Sequence, residues 1–527
     1  MKRMHILKRS TCSYLRARYY SGKPHVREDR RIWQPVIGLE IHAQIPTVSK
    51  LFSGAATRFG SPINTQVAVF DAAMPGTLPV INRGCVEAGI LTALAINSNL
   101  NMVSKFDRKH YFYSDLPSGF QITQYRQPLA VGGYVQYVVQ DHSSKHIERK
   151  KIHITQLQLE QDSGKSLHDT EDSISLIDLN RAGVGLMEII TEPEFHSSEE
   201  AMSFVKELQL IFQCIGTCDG RMDEGSMRVD ASVSVHHPGE PLGTRSEVKN
   251  LNSTRYVGRA IDFEVKRQIE ILESGGEVAN ETRAFDFESG ETIPMRDKEH
   301  LHDYRFMPEP NLPPLRLYSD ASPPPPGVAT DQVINIDRLK ERLPELPEEK
   351  RGRMEAQYGL TLSQAIILVG EPGLMRYFEE IMSEGKRNVK VVVNLLLNDL
   401  LRVLNKDDVN VDNSPVLPSH IGEIVDMLQS NTISMATAKK VLDLIYDGEK
   451  RSPTQLVSDN HWTQITDQQA LVDVCQTVIE QNPVAVEEYR KGKTKVLNFL
   501  MGQVMKATKG RVDPKATTNT LKSMLQE

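Results

Sequence analysis

Residues 36–45 read VIGLEIHAQI, an apolar run that carries a glutamate and a histidine two residues apart. Successive side chains of a strand point to opposite faces, so Glu40 and His42 would share one face while isoleucine and leucine form the other. Their Cβ atoms would lie roughly 7 Å apart, close enough to reach one ion or one substrate group. A buried pair that only satisfies itself would look the same, so the pair alone leaves both interpretations open.

Further polar side chains lie in or at the end of apolar segments later in the sequence. Glu160, Gln161 and Asp162 close the run QLQLEQD, and Glu188 lies inside the apolar stretch GVGLMEII. Burying an unpaired carboxylate is costly, so it needs a cation, a proton or hydrogen-bond donors. Several acids and one histidine therefore predict a site for a hard divalent cation such as Mg²⁺, which could bring it to a phosphate.

A basic and aromatic run lies between the Glu40-His42 pair and Glu160. The sequence SKFDRKHYFYSDLPSGFQITQY (104–125) interleaves Lys105, Arg108 and Lys109 with tyrosine and phenylalanine. Such residues can contact phosphate and stack on bases, but a strand with a solvated charged edge has the same composition. Composition leaves the two interpretations open.

The elements that position these residues fall into two kinds. Up to about residue 315 short strands mix with occasional helices, one predicted from Ser197 and Ser198 to about Cys214 and one from Ser253 to Gly275. Hairpins are predicted at Gly132-Gly133 and at HHPGEPLG, residues 236–243. This clustering of strands indicates an α+β fold. The segment DASPPPPG reads as a linker, and almost everything beyond it is helical in pattern.

Composition narrows the cellular context. The chain of 527 residues has 39% hydrophobic residues, a net charge of -7 and no apolar run long enough for a membrane span. Residues 1–27 hold eight lysines and arginines and no acid, which predicts a mitochondrial presequence over 1–20 rather than a secretory signal; a disordered basic tail is the alternative. Five scattered cysteines fit a reducing compartment.

The C-terminal end is basic although the whole chain is acidic. Between Tyr489 and Lys522 there are nine basic residues and one acid, Asp513. This pattern predicts binding to nucleic-acid phosphates, and a solvated helix face is the alternative. The basic residues are Arg490, Lys491, Lys493, Lys495, Lys506, Lys509, Arg511, Lys515 and Lys522.

Taken in order, several motifs resemble one family, the B subunit of the tRNA-dependent glutamyl amidotransferase, which is called GatB in the GatCAB complex. They are VIGLEIHAQ, SKLF, MPGTLPVIN, KFDRKHYFYSDLPSGFQITQY, QLEQDSGKS, DLNRAGVGLMEIITEPE, DEGSMRVDASVS, EVKNLNSTRYV and DYRFMPEPNLPPL. The resemblance implies ATP-dependent phosphorylation of the glutamate carried by glutamine tRNA, followed by displacement of phosphate by ammonia. It also implies a kinase-like cradle over 30–318, a linker over 319–334, a helical domain over 335–428 and a tRNA-binding helical tail over 429–527, in the mitochondrial matrix.

Carried over residue by residue, the family's Mg²⁺ site falls on Glu40, His42, the Glu160-Gln161 pair and Glu188. Lys105, Arg108 or Lys109 could then meet phosphate oxygens. Many family members have two adjacent glutamates where this chain has Glu160-Gln161. Two cysteine pairs that bind zinc in some members are replaced here by Ser53, Ala55, Ala68 and Asp71, so no zinc is expected.

Two other functions compete with this one. The first is a tRNA-holding scaffold whose phosphotransfer site has decayed, which Gln161 makes conceivable. The second is an amide ligase for a small molecule. The basic tail argues against this function, because its pattern predicts binding to nucleic-acid phosphates. The chain has no G-x-S-x-G elbow and no cysteine in a nucleophile motif, so it should not hydrolyse glutamine. The resemblance assigns that step to the amidase-type glutaminase of the GatCAB complex, held with the small subunit of the same complex.

Overall fold

The computed structural model describes residues 33–140, 146–169, 172–295, 304–329, 333–385, 387–464, 468–508 and 510–526. The chain divides into two compact units, Met1–Glu348 and Glu349–Glu527. The predicted presequence over 1–20 lies outside the described residues. Strands occupy the first unit and helices fill the second, so the predicted α+β class is confirmed.

The first unit holds the strands and the first four helices. The strands are β1 (Gln34–Gln44), β2 (Asn99–Leu100), β3 (Val103–Ser104), β4 (Asp107–His110), β5 (Phe120–Thr123), β6 (Ala130–Val131), β7 (Tyr134–Gln140), β8 (Ile147–Gln161), β9 (Lys165–Asp169), β10 (Ile174–Asp178), β11 (Gly185–Thr191), β12 (Met227–His236), β13 (Ser246–Leu251), β14 (Thr282–Asp286), β15 (Glu291–Pro294), β16 (Met307–Pro308) and β17 (Leu315–Arg316). The helices are α1 (Arg83–Ala95), α2 (Ser198–Ile215), α3 (Thr254–Glu273) and α4 (Ile336–Lys340).

Ten strands form one large sheet with β1 at its centre. The order is β15-β14-β13-β12-β1-β11-β8-β6-β2, with β7 paired to β8 beside that path. Ile37, Leu39 and Ile41 of β1 are buried in the hydrophobic core. On that apolar side α1 lies on β8, α2 on β7 and α3 on β12. The alternation of strand side chains leaves Glu40 and His42 on the opposite, polar face.

Both predicted helices of this unit are confirmed. The Ser197 side chain accepts a hydrogen bond from the backbone N–H of Glu200 and caps α2, which ends at Gly216 with a left-handed φ of 70°. Ser253 caps α3 in the same way. The hairpin predicted around residues 236–243 is also confirmed, because β12 and β13 pair in antiparallel register there.

The hairpin predicted at Gly132-Gly133 is wrong. Strands β6 and β7, on either side of the two glycines, both pair with β8 rather than with each other. A Cβ on Gly133 would lie 2.7 Å from the carbonyl oxygen of Ile96. The glycines therefore bend one edge of the sheet past a neighbouring backbone and do not reverse the chain.

The first unit extends beyond the proline-rich segment. Leu339 of α4 is buried in the core of the first unit, and Tyr318 forms an isolated bridge with Asn335. The residues from 335 to 348, expected in the helical domain, therefore pack with the sheet. Apolar side chains on α4 explain this difference, because they contribute to that core.

The second unit contains helices and no strands among its described residues, and a π-helical segment (Leu395–Leu400) and a short 3-10 turn (Val411–Asn413) lie between its α-helices. Its helices, with α5 spanning the division, are α5 (Pro347–Tyr358), α6 (Leu362–Gly370), α7 (Pro372–Met382), α8 (Val389–Asn394), α9 (Leu401–Lys406), α10 (Pro418–Gln429), α11 (Met435–Tyr446), α12 (Pro453–Asp459), α13 (Gln468–Gln481), α14 (Pro483–Arg490), α15 (Val496–Ala507) and α16 (Pro514–Gln526). One core runs from Met354 to Val457 and another from Leu471 to Leu525. The boundary expected at 428/429 falls inside the first of these cores.

A buried ion pair anchors the loop between β1 and α1. The Lys50 ammonium is fully buried and lies 3.0 Å from the Asp71 carboxylate. The same carboxylate oxygen accepts hydrogen bonds from the Ser53 hydroxyl and the Ala68 backbone N–H. Zinc-binding cysteines of some family members would stand at four positions of this chain. Three of them, Ser53, Ala68 and Asp71, take part in the hydrogen bonds of the Asp71 carboxylate. The donors from Lys50, Ser53 and Ala68 all meet the same oxygen, Oδ2, whereas the other carboxylate oxygen, Oδ1, is buried without a hydrogen-bond partner among the described residues.

Asp71→Ala is expected to lower the free energy of unfolding of the first unit by about 3 kcal/mol, because it leaves a buried ammonium without its counter-charge. Ser53→Ala removes one hydrogen bond only and should cost about 1 kcal/mol. Urea unfolding followed by Trp33 fluorescence, in a Trp462→Phe background, reports on the first unit. Equal losses for the two variants would show that the ion pair is not the anchor.

Candidate active site

Cross-strand register brings the acidic residues together on the polar face. His42 of β1 stands opposite Glu188 of β11, and Glu40 stands opposite Asp230 of β12. Glu188 in turn stands opposite Gln158 of β8. Directly opposed residues have Cβ atoms about 5 Å apart, and like charges at that distance repel. The sheet therefore concentrates negative charge that some partner must offset.

The inner acidic group consists of His42, Glu160 and Glu188, whose ligand atoms all lie within 4.8 Å of one another. His42 Nε2 is 3.6 Å from a Glu160 oxygen. The other Glu160 oxygen, Oε2, is buried and has no hydrogen-bond partner. Burial and the charge of Glu188 raise the pKa of Glu160 well above its usual value. A divalent cation would satisfy both the orphaned oxygen and the repulsion.

Gln158 positions this group. Its side-chain N–H donates to Glu188 Oε2 at 2.6 Å and to the Thr123 hydroxyl at 3.2 Å. Gln158 was not among the residues predicted from the sequence, although the alternation in QLQLEQ places it on the same face as Glu160.

Gln161 does not join the inner acidic group. Its side-chain oxygen accepts a hydrogen bond from the backbone N–H of Ile122 at 2.9 Å. Consecutive residues of β8 point to opposite faces, so Glu160 faces the acids while the Gln161 side chain is held by the backbone of Ile122. Of the Glu160-Gln161 pair, Glu160 therefore belongs to the inner acidic group, and metal binding by either residue stays a prediction.

The outer acidic group consists of Glu40, Asp230 and Glu247, whose carboxylate oxygens also lie within 4.8 Å of one another. Burial, followed by the charges of Glu188, Glu247 and Asp230, raises the pKa of Glu40 to about 7. Lys249 Nζ lies 3.8 Å from Glu247 and offsets part of this charge. Sequence reasoning missed Asp230 and Glu247, because their strands pair with distant parts of the chain and only register brings them to Glu40.

The three predicted phosphate contacts separate in the structure. Lys109 is half-buried, and although burial lowers its pKa, the charges of Glu160 and Glu188 raise it by more. Arg108 lies on the other side of β4, where its guanidinium binds Glu309 through two hydrogen bonds of 2.6 and 3.1 Å. Lys105 is exposed. Only Lys109 faces the inner acidic group.

A cavity of about 270 Å³ adjoins the outer acidic group. Its lining includes Glu40 itself, together with apolar side chains, hydroxyls and one arginine. The other lining residues are Val36, Gly38, Leu39, Ile190, Thr191, Pro193, Ser232, Ser234, Leu242, Gly243 and Arg245. Such a mixture suits a small polar ligand with an apolar body.

Comparison with known proteins decides the family. Residues 35–322 match the family model described as the GatB/GatE catalytic domain, and residues 376–525 match the GatB domain. The chain belongs to the GatB family. Every residue of both acidic groups lies within the GatB/GatE catalytic match.

Among GatB relatives, the mitochondrial B subunit of glutamyl-tRNA(Gln) amidotransferase from Danio rerio is 50% identical over 491 residues, 93% of this chain and 89% of that protein. The Homo sapiens protein of the same name is 50% identical over 489 residues, 93% of this chain and 88% of that protein. The B subunit of aspartyl/glutamyl-tRNA(Asn/Gln) amidotransferase from Brucella suis is 44% identical over 494 residues, 94% and 95% of the two chains. The mitochondrial names of the first two relatives agree with the predicted mitochondrial location. No helix among the described residues is long and apolar enough to cross a membrane.

The basic residues of the GatB tail differ in their surroundings. Arg490, Lys495 and Lys506 are exposed, whereas Lys491 and Lys493 lie 3.2 and 2.8 Å from glutamates of α14. Arg511 is half-buried, and its guanidinium donates to the carbonyl oxygens of Thr508 and His461. Lys509 lies outside the described residues. Arg511 thus serves the tail's own packing.

Glu40→Gln is expected to raise the free energy of unfolding of the metal-free chain by about 1–3 kcal/mol at pH 7.5, and by much less at pH 5. The pKa of Glu40 is about 7 in the folded chain and near 4.5 when unfolded, so its contribution to stability is lost as the pH rises through 7. Urea unfolding in the presence of EDTA measures the difference. An equal gain at both pH values would contradict the raised pKa.

Proposed function

We propose that this chain is the component of a mitochondrial amidotransferase that converts glutamate on glutamyl-tRNA(Gln) to glutamine. The observation that carries the proposal is the grouping of a cavity, two acidic groups and one lysine. The cavity and the outer acidic group share Glu40, and the charges of the inner acidic group raise the pKa of Lys109. Family membership and the names of the relatives support the same activity.

We further propose that the two acidic groups hold Mg²⁺. The fit rests on the orphaned Oε2 of Glu160 and on oxygen-rich donor sets of three residues each, which suit a hard cation. Bound Mg²⁺ would neutralise charge on the phosphate oxygens of ATP. His42, Glu160 and Glu188 would hold one ion, and Glu40, Asp230 and Glu247 the other.

The cavity beside Glu40 is proposed to take the nucleoside of ATP. Apolar residues would cover the base, while Ser232, Ser234 and Arg245 offer hydrogen bonds and positive charge. Because Glu40 lines this cavity, a nucleotide seated there would direct its phosphates toward the acidic groups.

The reaction needs positioning more than covalent help. An oxygen of the glutamate side chain attacks the γ-phosphorus, the bond to the bridging oxygen breaks, and ADP leaves. Ammonia then attacks the activated carbonyl carbon, phosphate departs with its electron pair, one ammonia proton passes to the departing phosphate, and the amide remains. The positive charge of Lys109 would orient the glutamate carboxylate and oppose the repulsion from Glu160 and Glu188.

Ammonia must come from elsewhere. The sequence contains no nucleophile motif for glutamine hydrolysis, so we propose that an amidase-type glutaminase, held with a small third subunit, supplies it. The isolated chain should show slow amide formation from ammonium salt with ATP and glutamyl-tRNA, but none from glutamine. Adding the glutaminase and the small subunit should restore the use of glutamine. Glutamine-dependent activity of the isolated chain would contradict this division of labour.

Gly38→Leu tests the nucleotide site. The glycine shares its sheet face with Glu40 and lines the cavity, so a leucine side chain there is expected to raise the KM for ATP about tenfold or more by filling it. Gly54→Leu is the matched control, because a Cβ at Gly54 meets nothing within 4 Å. Steady-state ATP titrations of the assembled complex measure both. Equal KM values for ATP in Gly38→Leu and Gly54→Leu would show that the nucleotide does not bind in this cavity.

A further inference from the structure

Five aromatic rings form a continuous ladder beside Lys109. The Tyr111 centroid lies 5.6 Å from Tyr113 and 6.3 Å from Tyr304, and Tyr304 lies 6.0 Å from Phe306. Phe306 stacks on Tyr125 with centroids 4.3 Å apart and planes inclined by 10°. Such contacts fix the rings as one rigid surface.

The ladder borders the proposed active site at two places. Lys109 Nζ lies 4.9 Å above the ring of Tyr304 and 5.9 Å above that of Tyr111. At the other end, Tyr125 follows Thr123 by two residues, and Gln158 bonds both Thr123 and Glu188. The aromatic surface therefore begins where the inner acidic group ends.

The backbone holds part of this surface in an uncommon conformation. Arg305, between Tyr304 and Phe306, has a φ of 44°, which non-glycine residues rarely adopt. His110 secures it, since its backbone N–H donates to the Tyr304 carbonyl and its ring lies 3.0 Å from the Arg305 carbonyl oxygen. Strain of this kind is retained where the surroundings fix it and is common at functional sites.

Both end rings of the ladder, Tyr113 and Tyr125, are exposed. Tyr125 is 52% exposed even though Phe306 covers one face of its ring. A flat ring added to the other face would extend the parallel stack by one step. Simple core packing would bury such a ring, so the exposed face is a candidate for contact with a ligand.

We propose that the outer face of Tyr125 stacks on a base of the single-stranded 3′ end of the aminoacyl-tRNA. This inference rests on the proposed function, because the reacting glutamate is then attached to that 3′ end. The bases of a single-stranded 3′ end are unpaired, so their faces are available for stacking next to the reacting carboxylate. Aromatic side chains stack on bases without needing a particular sequence.

The adenine of ATP is the other flat group in the reaction, and the proposed function assigns it to the cavity beside Glu40. The ladder instead contacts Lys109 and adjoins the inner acidic group through Thr123 and Gln158. A phosphate donor and its acceptor must approach from opposite sides for in-line displacement. With the nucleotide at the cavity, the ladder is left for the tRNA end.

The test uses glutamine tRNA that carries 2-aminopurine in place of its 3′-terminal adenosine, bound in excess to the assembled complex. Stacking quenches this base, so wild-type protein and Tyr125→Phe are expected to quench it. Tyr125→Leu, which keeps the apolar volume and loses the ring, should not. Phe287→Leu is the control, because Phe287 is 62% exposed and follows β14 near the other edge of the sheet.

A kinetic arm separates the two adenines. Tyr125→Leu is expected to raise the KM for glutamyl-tRNA about tenfold to a hundredfold and to leave the KM for ATP unchanged. A raised KM for ATP alone, or quenching that survives in Tyr125→Leu, would overturn the inference. Absent quenching with normal amide formation would overturn it while the proposed function stands. Normal quenching without ATP-dependent amide formation would instead defeat the proposed function.

Discussion

Glu160→Gln is expected to reduce ATP-dependent amide formation at least a hundredfold, the scale seen when one preorganised charge-stabilising group is lost. The same change should raise the unfolding temperature of the metal-free chain. Glu160 is only 2% exposed, and its raised pKa shows that its charge is costly where it lies. A residue that destabilises the fold and is needed for chemistry is the signature of a functional site.

Single-turnover amide formation by the assembled complex and thermal unfolding of the isolated chain in EDTA measure the two effects. Glu194→Gln provides the control, since it removes an exposed carboxylate that pairs with His153 at 2.9 Å. It should alter neither amide formation nor stability by much. Full activity of Glu160→Gln would remove the inner acidic group from the mechanism. Lower stability with unchanged chemistry would mean that Glu160 is only a structural partner of His42.

Replacing Arg490, Lys495 and Lys506 together by glutamine is expected to weaken tRNA binding about tenfold to a hundredfold at moderate salt. These side chains are exposed, and no acidic partner is seen for them among the described residues of the tail. Every interaction with a phosphate that the substitutions abolish also abolishes one counterion-release step. The logarithm of the binding constant should therefore fall less steeply with salt, by roughly 0.7–0.9 for each such interaction.

Filter binding or fluorescence titration across a salt series measures the slope. Lys491→Gln with Lys493→Gln is the matched control, because both lysines already pair with glutamates of α14 and should change the slope less. Substitution is a sharper test than removal of the chain from about 430 onward. Residues 433–457 belong to the core that begins at Met354, so such a cut would unfold part of the second unit. If the salt dependence of the binding constant does not change, the basic residues of the tail form a solvated helix face and do not bind phosphates.

Local patterns in the sequence predicted much of the site and two of the four helices described in the first unit. Alternation in VIGLEIHAQI placed Glu40 and His42 on one polar face, and serine caps fixed where α2 and α3 begin. These signals act over a few residues, where the backbone geometry alone determines which side chains share a face.

Long-range register could not be predicted in the same way. Asp230 and Glu247 reach Glu40 only through the pairing of β1 with β12 and of β12 with β13. The two glycines after β6 look like a turn locally, yet β8 is long enough to pair with the strands on both sides of them. The end of the first unit was also missed, because burial of Leu339 depends on a surface formed by distant residues.

The central claim is that ATP phosphorylates the glutamate carboxylate at the two acidic groups before ammonia arrives. Glutamyl-tRNA labelled with oxygen-18 in its side-chain carboxylate tests this directly when the assembled complex converts it with ATP and glutamine. Each phosphate released should carry one labelled oxygen, because the acceptor oxygen leaves with the phosphate. Phosphate without label, accompanied by normal glutaminyl-tRNA formation, would contradict the account.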